Sequence, residues 1–423
     1  MKTTAIRNGR VIDPANGVDS VGDVFVRNHR VADPSEASSL SFDREIDASG
    51  LIVCPGLIDL NAKMGERGSS QSSTLQTESK AALSGGITTA CIQPDTQPVV
   101  DTPAMAHMIR TNMEQQSGPN ILPLGALTIG LQGETLTEMA ALKAAGCVGV
   151  SNARSPVRST LLMRRAMQYA STFDITVFIH SFDPWLAGNG CVHEGEISTR
   201  LGLPAVPEAA ETVAVARDLA LVETTGVRAH FSQISCARSV SMIAESKRRG
   251  LNVSADVAVH NLLLTEFDVE GFDTMCHVQP PLRSEDDRSG LRQGLRDGSI
   301  SVICSDHRPC RIDDKLAPFV QTAAGISGLE TLLPLTLKLV DEGAISLTEA
   351  IACLTCNPAA VLGIETGSLT PGSAADICIF DPERTWTVNP DDMLSGGRNT
   401  PFAGTRMRGR VTHTFSGGKL VVS

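Results

Sequence analysis

Short apolar runs alternate with amphipathic stretches through the middle of the chain. Segments such as Glu208–Thr225 and Ala237–Gly250 carry apolar residues at helical spacing and separate successive runs. Runs of this length between helices are typical of the buried parallel strands of an α/β fold. Eight units of strand and helix predict a (β/α)8 TIM-type barrel that closes near Asp306. The predicted strands are residues 52–60, 87–92, 121–129, 148–151, 175–180, 227–234, 252–259 and 300–305.

The two ends of the chain have a different pattern. Residues 4–31 form short apolar stretches broken by Asn8-Gly9 and Asn16-Gly17, both of which are turn signals. Residues 374–380 and 409–422 also have the pattern of strands. Strands from both termini can share one small sheet, which predicts a discontinuous β domain beside the barrel. The predicted domains are residues 1–54 plus 366–423 for the sheet, and 55–365 for the barrel with extra C-terminal helices.

Composition and charge exclude several classes of function. The 423-residue chain has a formal net charge of −11, and no basic patch with interleaved aromatic residues indicates nucleic-acid binding. Residues 1–9 lack the apolar core of a signal peptide, and no apolar run approaches the ~20 residues of a membrane span. Eleven scattered cysteines fit reduced thiols. We therefore predict a cytoplasmic protein without membrane or nucleic-acid partners.

Polar residues follow the predicted barrel strands, where barrel chemistry is usually located. Asn61 and Lys63 follow strand one, and their spacing places them on the same side. An amide oxygen is a poor transition-metal ligand, and a protonated ammonium group repels a cation. Two-metal hydrolases need several histidines and a bridging carboxylate. From the residues alone, the barrel mouth is polar but a poor metal cage, with candidates in His180, Asp306, His230, His260 and His307.

A set of motifs spread along nearly the whole chain resembles the long bacterial dihydroorotases of the amidohydrolase superfamily. No single motif is specific, but the set is. The motifs are Pro55-Gly56-Leu57-Ile58-Asp59-Leu60, Gly85-Gly86-Ile87-Thr88-Thr89, His193-Glu194-Gly195, Leu219-Ala220-Leu221, Ala237-Arg238-Ser239-Val240, Leu262-Leu263-Leu264-Thr265, Pro280-Pro281-Leu282-Arg283, Ser305-Asp306-His307, Gly328-Leu329-Glu330-Thr331 and Asn357-Pro358-Ala359.

The resemblance implies a metal site that this chain has altered. Active members of the family hydrolyse dihydroorotate reversibly at one or two zinc ions. Their ligands are two strand-one histidines, a carboxylate after strand four, histidines on strands five and six, and the strand-eight aspartate. Only His180 and Asp306 keep the family residue. The corresponding positions here are Asn61, Lys63, Asn152 or Ala153, His180, Gln233 and Asp306.

The positions that hold the substrate in the family also differ. Gly65 stands where the family carries an arginine, and Asp95 replaces the asparagine of a Pro-Asn-Thr turn. Gln279 replaces the asparagine before Pro-Pro-Leu-Arg, and Cys310 replaces the histidine of Asp-His-x-Pro-His. Since losing one outer-shell partner costs about 10–100-fold in metal affinity or activity, these changes point in the same direction as the altered ligands.

We therefore predict from the sequence a protein that is not an enzyme: a catalytically inactive dihydroorotase homologue without metal or cofactor. By resemblance to a subclass that assembles with aspartate carbamoyltransferase, the predicted role is a structural subunit for the catalytic chain of that enzyme in pyrimidine biosynthesis. Self-association is a further partner to consider. Within the mouth, we expect the Lys63 ammonium to compensate the Asp306 carboxylate, because strands one and eight are neighbours in a closed barrel.

Two alternatives stay open at the level of sequence. The first is a metal-dependent cyclic-amide hydrolase with a remodelled one-metal site built from His180, Asp306 and His230. The second is a metal-free ligand sensor, which requires a small anion beside Lys63 or Arg154.

Overall fold

The computed structural model describes residues 3–35, 41–65, 74–114 and 118–423, except the side chains of 112–114. The strands of this part are β1 (Thr3–Asp13), β2 (Val18–Arg27), β3 (Arg30–Val31), β4 (Arg44–Asp47), β5 (Ile52–Pro55), β6 (Leu57–Asp59), β7 (Ile87–Ile92), β8 (Asn120–Pro123), β9 (Gly125–Ala126), β10 (Val150–Ser151), β11 (Val177–Ile179), β12 (Val192–His193), β13 (Ala205–Val206), β14 (Ala229–Phe231), β15 (Val253–Ala258), β16 (Val302–Cys304), β17 (Ile377–Thr387), β18 (Arg406–Ser416) and β19 (Lys419–Val422).

The α-helices lie mainly between the strands of the middle region. They are α1 (Leu75–Ser84), α2 (Pro103–Glu114), α3 (Met139–Ala144), α4 (Thr160–Thr172), α5 (Pro184–Ala187), α6 (Glu196–Leu201), α7 (Ala209–Thr225), α8 (Ala237–Arg248), α9 (Glu285–Arg296), α10 (Leu332–Asp341), α11 (Leu347–Leu354) and α12 (Cys356–Leu362). None of the helices in the described ranges is long and apolar enough to cross a membrane.

Parallel strands of the middle region form a closed barrel. One ladder runs β6-β7-β8 and another runs β16-β15-β14-β11-β10-β9. Between β8 and β9, the Leu124 amide donates to the Ile92 carbonyl at 3.0 Å, so the third barrel strand is split but stays in place. At the other seam, Ala62 and His307 form a parallel bridge, and the Lys63 amide donates to the His307 carbonyl at 2.9 Å. The predicted (β/α)8 barrel is confirmed.

The first predicted strand is divided between two sheets. Residues 52–60 separate at Gly56 into β5, which belongs to the terminal sheet, and β6, which belongs to the barrel. A Cβ atom at Gly56 would lie 2.1 Å from Thr88 Oγ1 on β7. Because that approach leaves no room for any side chain, glycine is required where the chain passes from the sheet into the barrel.

Strands from both ends of the chain pair in one sheet beside the barrel. Its order is β19-β18-β17-β5-β1-β2-β3, with β4 also paired to β1. The central contact is antiparallel between β5 and β17, where Val53 lies opposite Ile379. Ile6, Ile377 and Phe415 pack with these two residues in an apolar cluster and are almost fully buried. The exact boundaries between sheet and barrel domains stay a prediction.

Local signals in the sequence fix the elements that carry the mouth. Helix α1 begins after Thr74, whose hydroxyl accepts the Thr77 amide at 3.2 Å, while the Thr77 hydroxyl accepts the Thr74 amide at 2.9 Å. This reciprocal cap satisfies two amides that the first turn would otherwise leave unpaired. It also fixes the turn in which Glu78 faces the interior and is fully buried.

Candidate functional site at the barrel mouth

The carboxylate of Asp306, at the end of barrel strand eight, is the centre of the mouth. It is 1% exposed and accepts hydrogen bonds from Arg154 Nη2 to both oxygens at 2.9 Å. Asn61 Nδ2 donates to Oδ1 at 2.7 Å, and Arg308 Nε lies 3.6 Å from the same oxygen. Burial alone would raise the pKa of Asp306, but the charges of Arg154 and Arg308 outweigh burial and lower it. Asp306 is therefore ionised and compensated within the chain.

The cation that compensates Asp306 is Arg154 and not Lys63. Arg154 follows barrel strand four and extends across the mouth, where burial lowers the pKa of its guanidinium to about 10 despite the opposing charge of Asp306. The Lys63 backbone amide is fixed at the strand-eight seam, and its side chain is partly exposed. The prediction for Lys63 is wrong because the longer, planar side chain of Arg154 reaches the carboxylate from the opposite wall.

Three residues at strand ends of the mouth have left-handed backbone conformations. The φ angles are 48° at Ala153, 51° at Gln233 and 45° at Asp306. Non-glycine residues adopt this region at a cost and cluster at functional sites when surrounding contacts hold them there. Here the Gln233 amide donates to Asp256 Oδ1 at 2.7 Å, and the Ala153 amide donates to Ser151 Oγ at 3.0 Å. The barrel thus holds the ends of strands four, six and eight in strained conformations.

Two histidines face this charged group without hydrogen-bond partners among the described residues. Both ring nitrogens of His180, after β11, and of His260, after β15, are buried and unpaired. Burial, reinforced by the positive charge of Arg154, lowers the pKa of His180 to about 3. Burial likewise lowers the pKa of His260 to about 4, against the attraction of Asp306. Both rings are neutral near pH 7, and each unpaired buried polar group costs about 1–3 kcal/mol.

His230 belongs to a different polar pair, inside the barrel wall. Its Nε2 atom lies 2.9 Å from Asp256 Oδ2, and its Nδ1 atom lies 2.7 Å from Ser254 Oγ. His230 and Asp256 are both almost fully buried. The structure therefore brings His180 and Asp306 to one mouth, but it places both nitrogens of His230 in contacts with neighbouring strand β15.

Asn152, Ala153 and Gln233 stand at the remaining positions where the resemblance implies metal ligands, and their contacts order the local backbone. Asn152 accepts the Thr128 hydroxyl at 2.6 Å and donates to the Ser155 carbonyl at 3.0 Å. It therefore orders the loops after strands three and four. Ala153 and Gln233 contribute the strained backbone described above, and Gln233 lies beside the His180 ring.

The four altered substrate positions have different surroundings. Asp95 Oδ2 lies 4.0 Å from Arg308 Nη1, a long ion pair at the rim. The Cys310 amide donates to Asn399 Oδ1 at 3.0 Å, and burial raises the pKa of its thiol. Gly65 has φ 75°, and a Cβ atom there would lie 2.7 Å from the Thr74 backbone. Gln279 is partly exposed. Of these four residues, only Asp95 has an ion pair with an arginine of the mouth in the described structure.

Sequence reasoning missed a second polar cluster directly behind Asp306. His307 Nδ1 accepts the Gly328 amide at 3.0 Å, so the proton is on Nε2, which donates to Glu78 Oε2 at 2.9 Å. Ser395 Oγ donates to the same oxygen at 2.7 Å, and the Gly396 amide donates to Oε1 at 2.9 Å. These contacts join α1, strand eight and the C-terminal region. No motif signals them, because their partners are distant in sequence.

The residues present do not fit the metal that the resemblance implies. Both oxygens of Asp306 are engaged by Arg154, and a divalent cation beside Arg154 and Arg308 would be repelled. Asn61 uses its amide to donate to Asp306. Within the described ranges, no group of three or more His, Cys, Asp or Glu side chains is placed to hold a metal ion. No chemical step here is therefore derived through a metal.

Comparisons with known proteins identify the family. A model described as Dihydro-orotase-like matches residues 50–239, and an Amidohydrolase family model matches residues 324–422. The chain is 44% identical over 419 residues to a Dihydroorotase-like protein of Pseudomonas putida, with 99% of both chains covered. It is 42% identical over 415 residues to a Dihydroorotase of Syntrophotalea carbinolica, with 98% of both covered. Its structure resembles an L-hydantoinase (dihydropyrimidinase) of Arthrobacter aurescens, with TM-score 0.88, 23% identity, and 100% and 96% coverage.

These relatives correct one prediction. The sequence analysis predicted that the chain is not an enzyme, but several relatives at about 42% identity are named Dihydroorotase. They point to a family of hydrolases, and changed ligand positions alone were insufficient grounds for the opposite conclusion. The chain belongs to the dihydroorotase-like proteins of the amidohydrolase family, a family of pyrimidine metabolism.

Proposed function

We propose that this protein acts in pyrimidine biosynthesis by associating with the catalytic chain of aspartate carbamoyltransferase. The observation that carries the proposal is the internal pairing of Asp306 with Arg154 and Asn61. Asp306 is thus paired within the chain, while the barrel is closed and the terminal sheet is continuous. The barrel and the terminal sheet, and not the mouth, are therefore the parts of the molecule best suited to a role in an assembly.

The relatives of this chain carry two different names. The Pseudomonas putida and Pseudomonas aeruginosa relatives, which align with 99% of this chain, are named Dihydroorotase-like protein. Other relatives of similar identity are named Dihydroorotase without qualification. The partner itself comes from the sequence resemblance, and the experiment must identify it directly.

Co-expression with the carbamoyltransferase chain of the same organism tests the association. We expect the two chains to co-purify and to elute as a hetero-oligomer whose mass, by light scattering, exceeds that of either chain alone. The variant Arg308→Gln, which alters the mouth and not the outer surface, is the matched control and should assemble normally. A carbamoyltransferase of the same mass and activity with and without this chain contradicts the proposal.

Hydrolysis of a cyclic amide is the second candidate, and the relatives named Dihydroorotase favour it. In that reaction the ionised Asp306 is the candidate base, although its lowered pKa and its hydrogen bonds to Arg154 make it a weak one. Protein from a strain without its own dihydroorotase should then interconvert dihydroorotate and carbamoyl aspartate, with and without chelator. Loss of turnover in Asp306→Asn supports this candidate, and unchanged turnover in that variant excludes it. Zinc analysis of the same preparation tests the one-metal site of His180 and Asp306.

A further inference from the structure

Helix α7 is apolar on the side that faces solvent as well as on the side that faces the barrel. Between residues 209 and 222, its exposed positions are Val213, Ala216 and Ala220. The neighbouring helix α8 has the usual surface composition, with exposed positions at Arg238, Ser241, Glu245 and Arg248. A surface helix normally presents polar and charged residues to water, whereas a helix that is apolar all round is normally buried. The outer face of α7 therefore has the composition of a covered surface.

Every charged residue of α7 has a partner within the chain. Glu211 is 1% exposed and accepts two backbone amides at the end of strand six, each at 3.1 Å. Asp218 is fully buried and pairs with Arg217 at 2.8 Å. Glu223, in the last turn, pairs with Arg249. The centre of the outer face thus carries no uncompensated charge.

Two large apolar side chains of the short helix α5 extend this surface. Trp185 is 65% exposed and Leu186 is 44% exposed. The Asp183 side chain accepts both of their backbone amides, at 2.9 and 3.0 Å, and the Asp183 amide donates to the Ala210 carbonyl of α7 at 2.7 Å. Trp185 also lines one small cavity together with Arg217, so α5 continues the outer face of α7. Contiguous exposed apolar residues mark interaction sites. We define the α5–α7 patch as Trp185, Leu186, Val213, Ala216 and Ala220.

The two ends of the α5–α7 patch differ in charge. Helix α4 packs beside α7, and its Met163 lines the same small cavity as Trp185. The first half of α4 exposes Arg164 and Arg165, and the helix contains no Asp or Glu. Both helices follow barrel strands and run in the same direction, so these arginines lie towards the start of α7. The exposed carboxylate of Glu223 lies at its other end.

A second copy of the chain matches this distribution. In a two-fold contact the same patch of each copy faces the other, which suits a centre that is apolar and free of uncompensated charge. A two-fold axis through the middle of α7 places Arg164 and Arg165 of one copy towards Glu223 of the other, so opposite charges meet at both ends. We propose that the α5–α7 patch is the contact surface between two copies of this chain, with their α7 helices packed antiparallel.

This contact does not depend on the proposed association with carbamoyltransferase, and the purified chain alone tests it. Light scattering should give twice the 44.7 kDa mass of one chain. In Val213→Glu, a charge at the centre of the patch faces its own copy, so the mass should fall to that of one chain. The matched control Ser241→Glu places the same side chain on the exposed face of α8 and should stay dimeric. Circular dichroism checks the fold of both variants, and Trp185→Ser, which removes an exposed ring, replaces Val213→Glu if that variant does not fold.

A charge swap tests the antiparallel arrangement. The double variant Arg164→Glu with Arg165→Glu should raise the dissociation constant of the dimer about fivefold at low salt, and adding Glu223→Arg to the same chain should restore it. An unaltered chain of single-copy mass at its highest soluble concentration, a Val213→Glu chain that keeps the mass of the unaltered protein, or a swap that restores nothing would each overturn the proposal. A monomeric chain whose association with carbamoyltransferase is lost in Val213→Glu would show that the patch binds that partner and not a second copy.

Discussion

Asp306 and His307 are consecutive residues, yet the polar clusters on their two sides differ in how completely they are satisfied. Behind the barrel strand, His307 has a partner for each ring nitrogen, and Glu78 accepts hydrogen bonds at both oxygens. In the mouth, Asp306 is paired, but His180 and His260 have unpaired nitrogens in the described structure. We refer to these as the Glu78 cluster and the mouth cluster.

The difference separates a structural role from a functional one. A buried network with every group satisfied rigidifies the fold, whereas a partly satisfied network costs free energy that a protein without a ligand does not recover. The mouth cluster also contains the strained backbone of Asp306, and its neighbours Ala153 and Gln233 are strained as well. We therefore expect changes in the Glu78 cluster and at the Asp306 ion pair to affect stability, whereas changes at the unpaired histidines of the mouth cluster should affect it little.

The largest expected effect is that of Glu78→Ala. This change leaves His307, Ser395 and the Gly396 amide without their acceptor inside the protein. Each buried donor left without its acceptor costs about 1–3 kcal/mol, so we expect a loss of several kcal/mol of free energy of unfolding in urea denaturation.

The matched control is Glu45→Ala, which removes an exposed ion pair to Arg7 at 3.1 Å. Its unfolding midpoint should stay close to that of the unaltered protein, because exposed ion pairs contribute little. If both variants were destabilised equally, the Glu78 cluster would not be the structural element described here.

The variant Arg154→Leu should come next, with a loss of about 3 kcal/mol because it leaves Asp306 charged and buried without its main partner. The double variant Arg154→Leu with Asp306→Asn removes the charge as well. We expect the double variant to be more stable than Arg154→Leu alone, which a double-mutant cycle in urea would measure. Additive losses would contradict the pairing of these two side chains.

Acid should weaken the Glu78 cluster over a defined range of pH. Burial alone would raise the pKa of Glu78, but the hydrogen bonds from His307, Ser395 and the Gly396 amide lower it to about 2. A pKa lowered in the folded state stabilises the protein above the unfolded value of 4.5, and this contribution is lost as the pH falls from 4.5 towards 2. Urea midpoints of the unaltered protein should fall over this range more steeply than those of Glu78→Gln.

The sequence predicted the fold better than the site, for physical reasons. The barrel strands follow from apolar runs of the right length, which report local burial, and β7 coincides with its predicted range of 87–92. Residues 52–60 were predicted as one strand and form two, β5 and β6, because both are apolar and continuous in sequence. The partner of Asp306 was misassigned because Lys63 follows the strand next to that of Asp306. The observed partner, Arg154, has a side chain long enough to reach Asp306 from across the mouth. The Glu78 cluster depends on contacts between distant segments, which no local pattern reports.

The smallest expected effect gives the sharpest contrast between the clusters. In His260→Leu, a ring without hydrogen-bond partners in the described structure is replaced by an apolar side chain of similar volume. Such replacements usually cost less than about 1.5 kcal/mol, and removing unpaired polar atoms offsets part of that cost. His307→Leu removes the hydrogen bond to the buried Glu78 carboxylate and leaves the Gly328 amide without its acceptor, so we expect a clearly larger loss. Urea denaturation of the two variants, each with one buried histidine replaced by leucine, compares the clusters directly. Equal losses would mean that His260 has partners in the folded protein and that the mouth cluster is as completely satisfied as the Glu78 cluster.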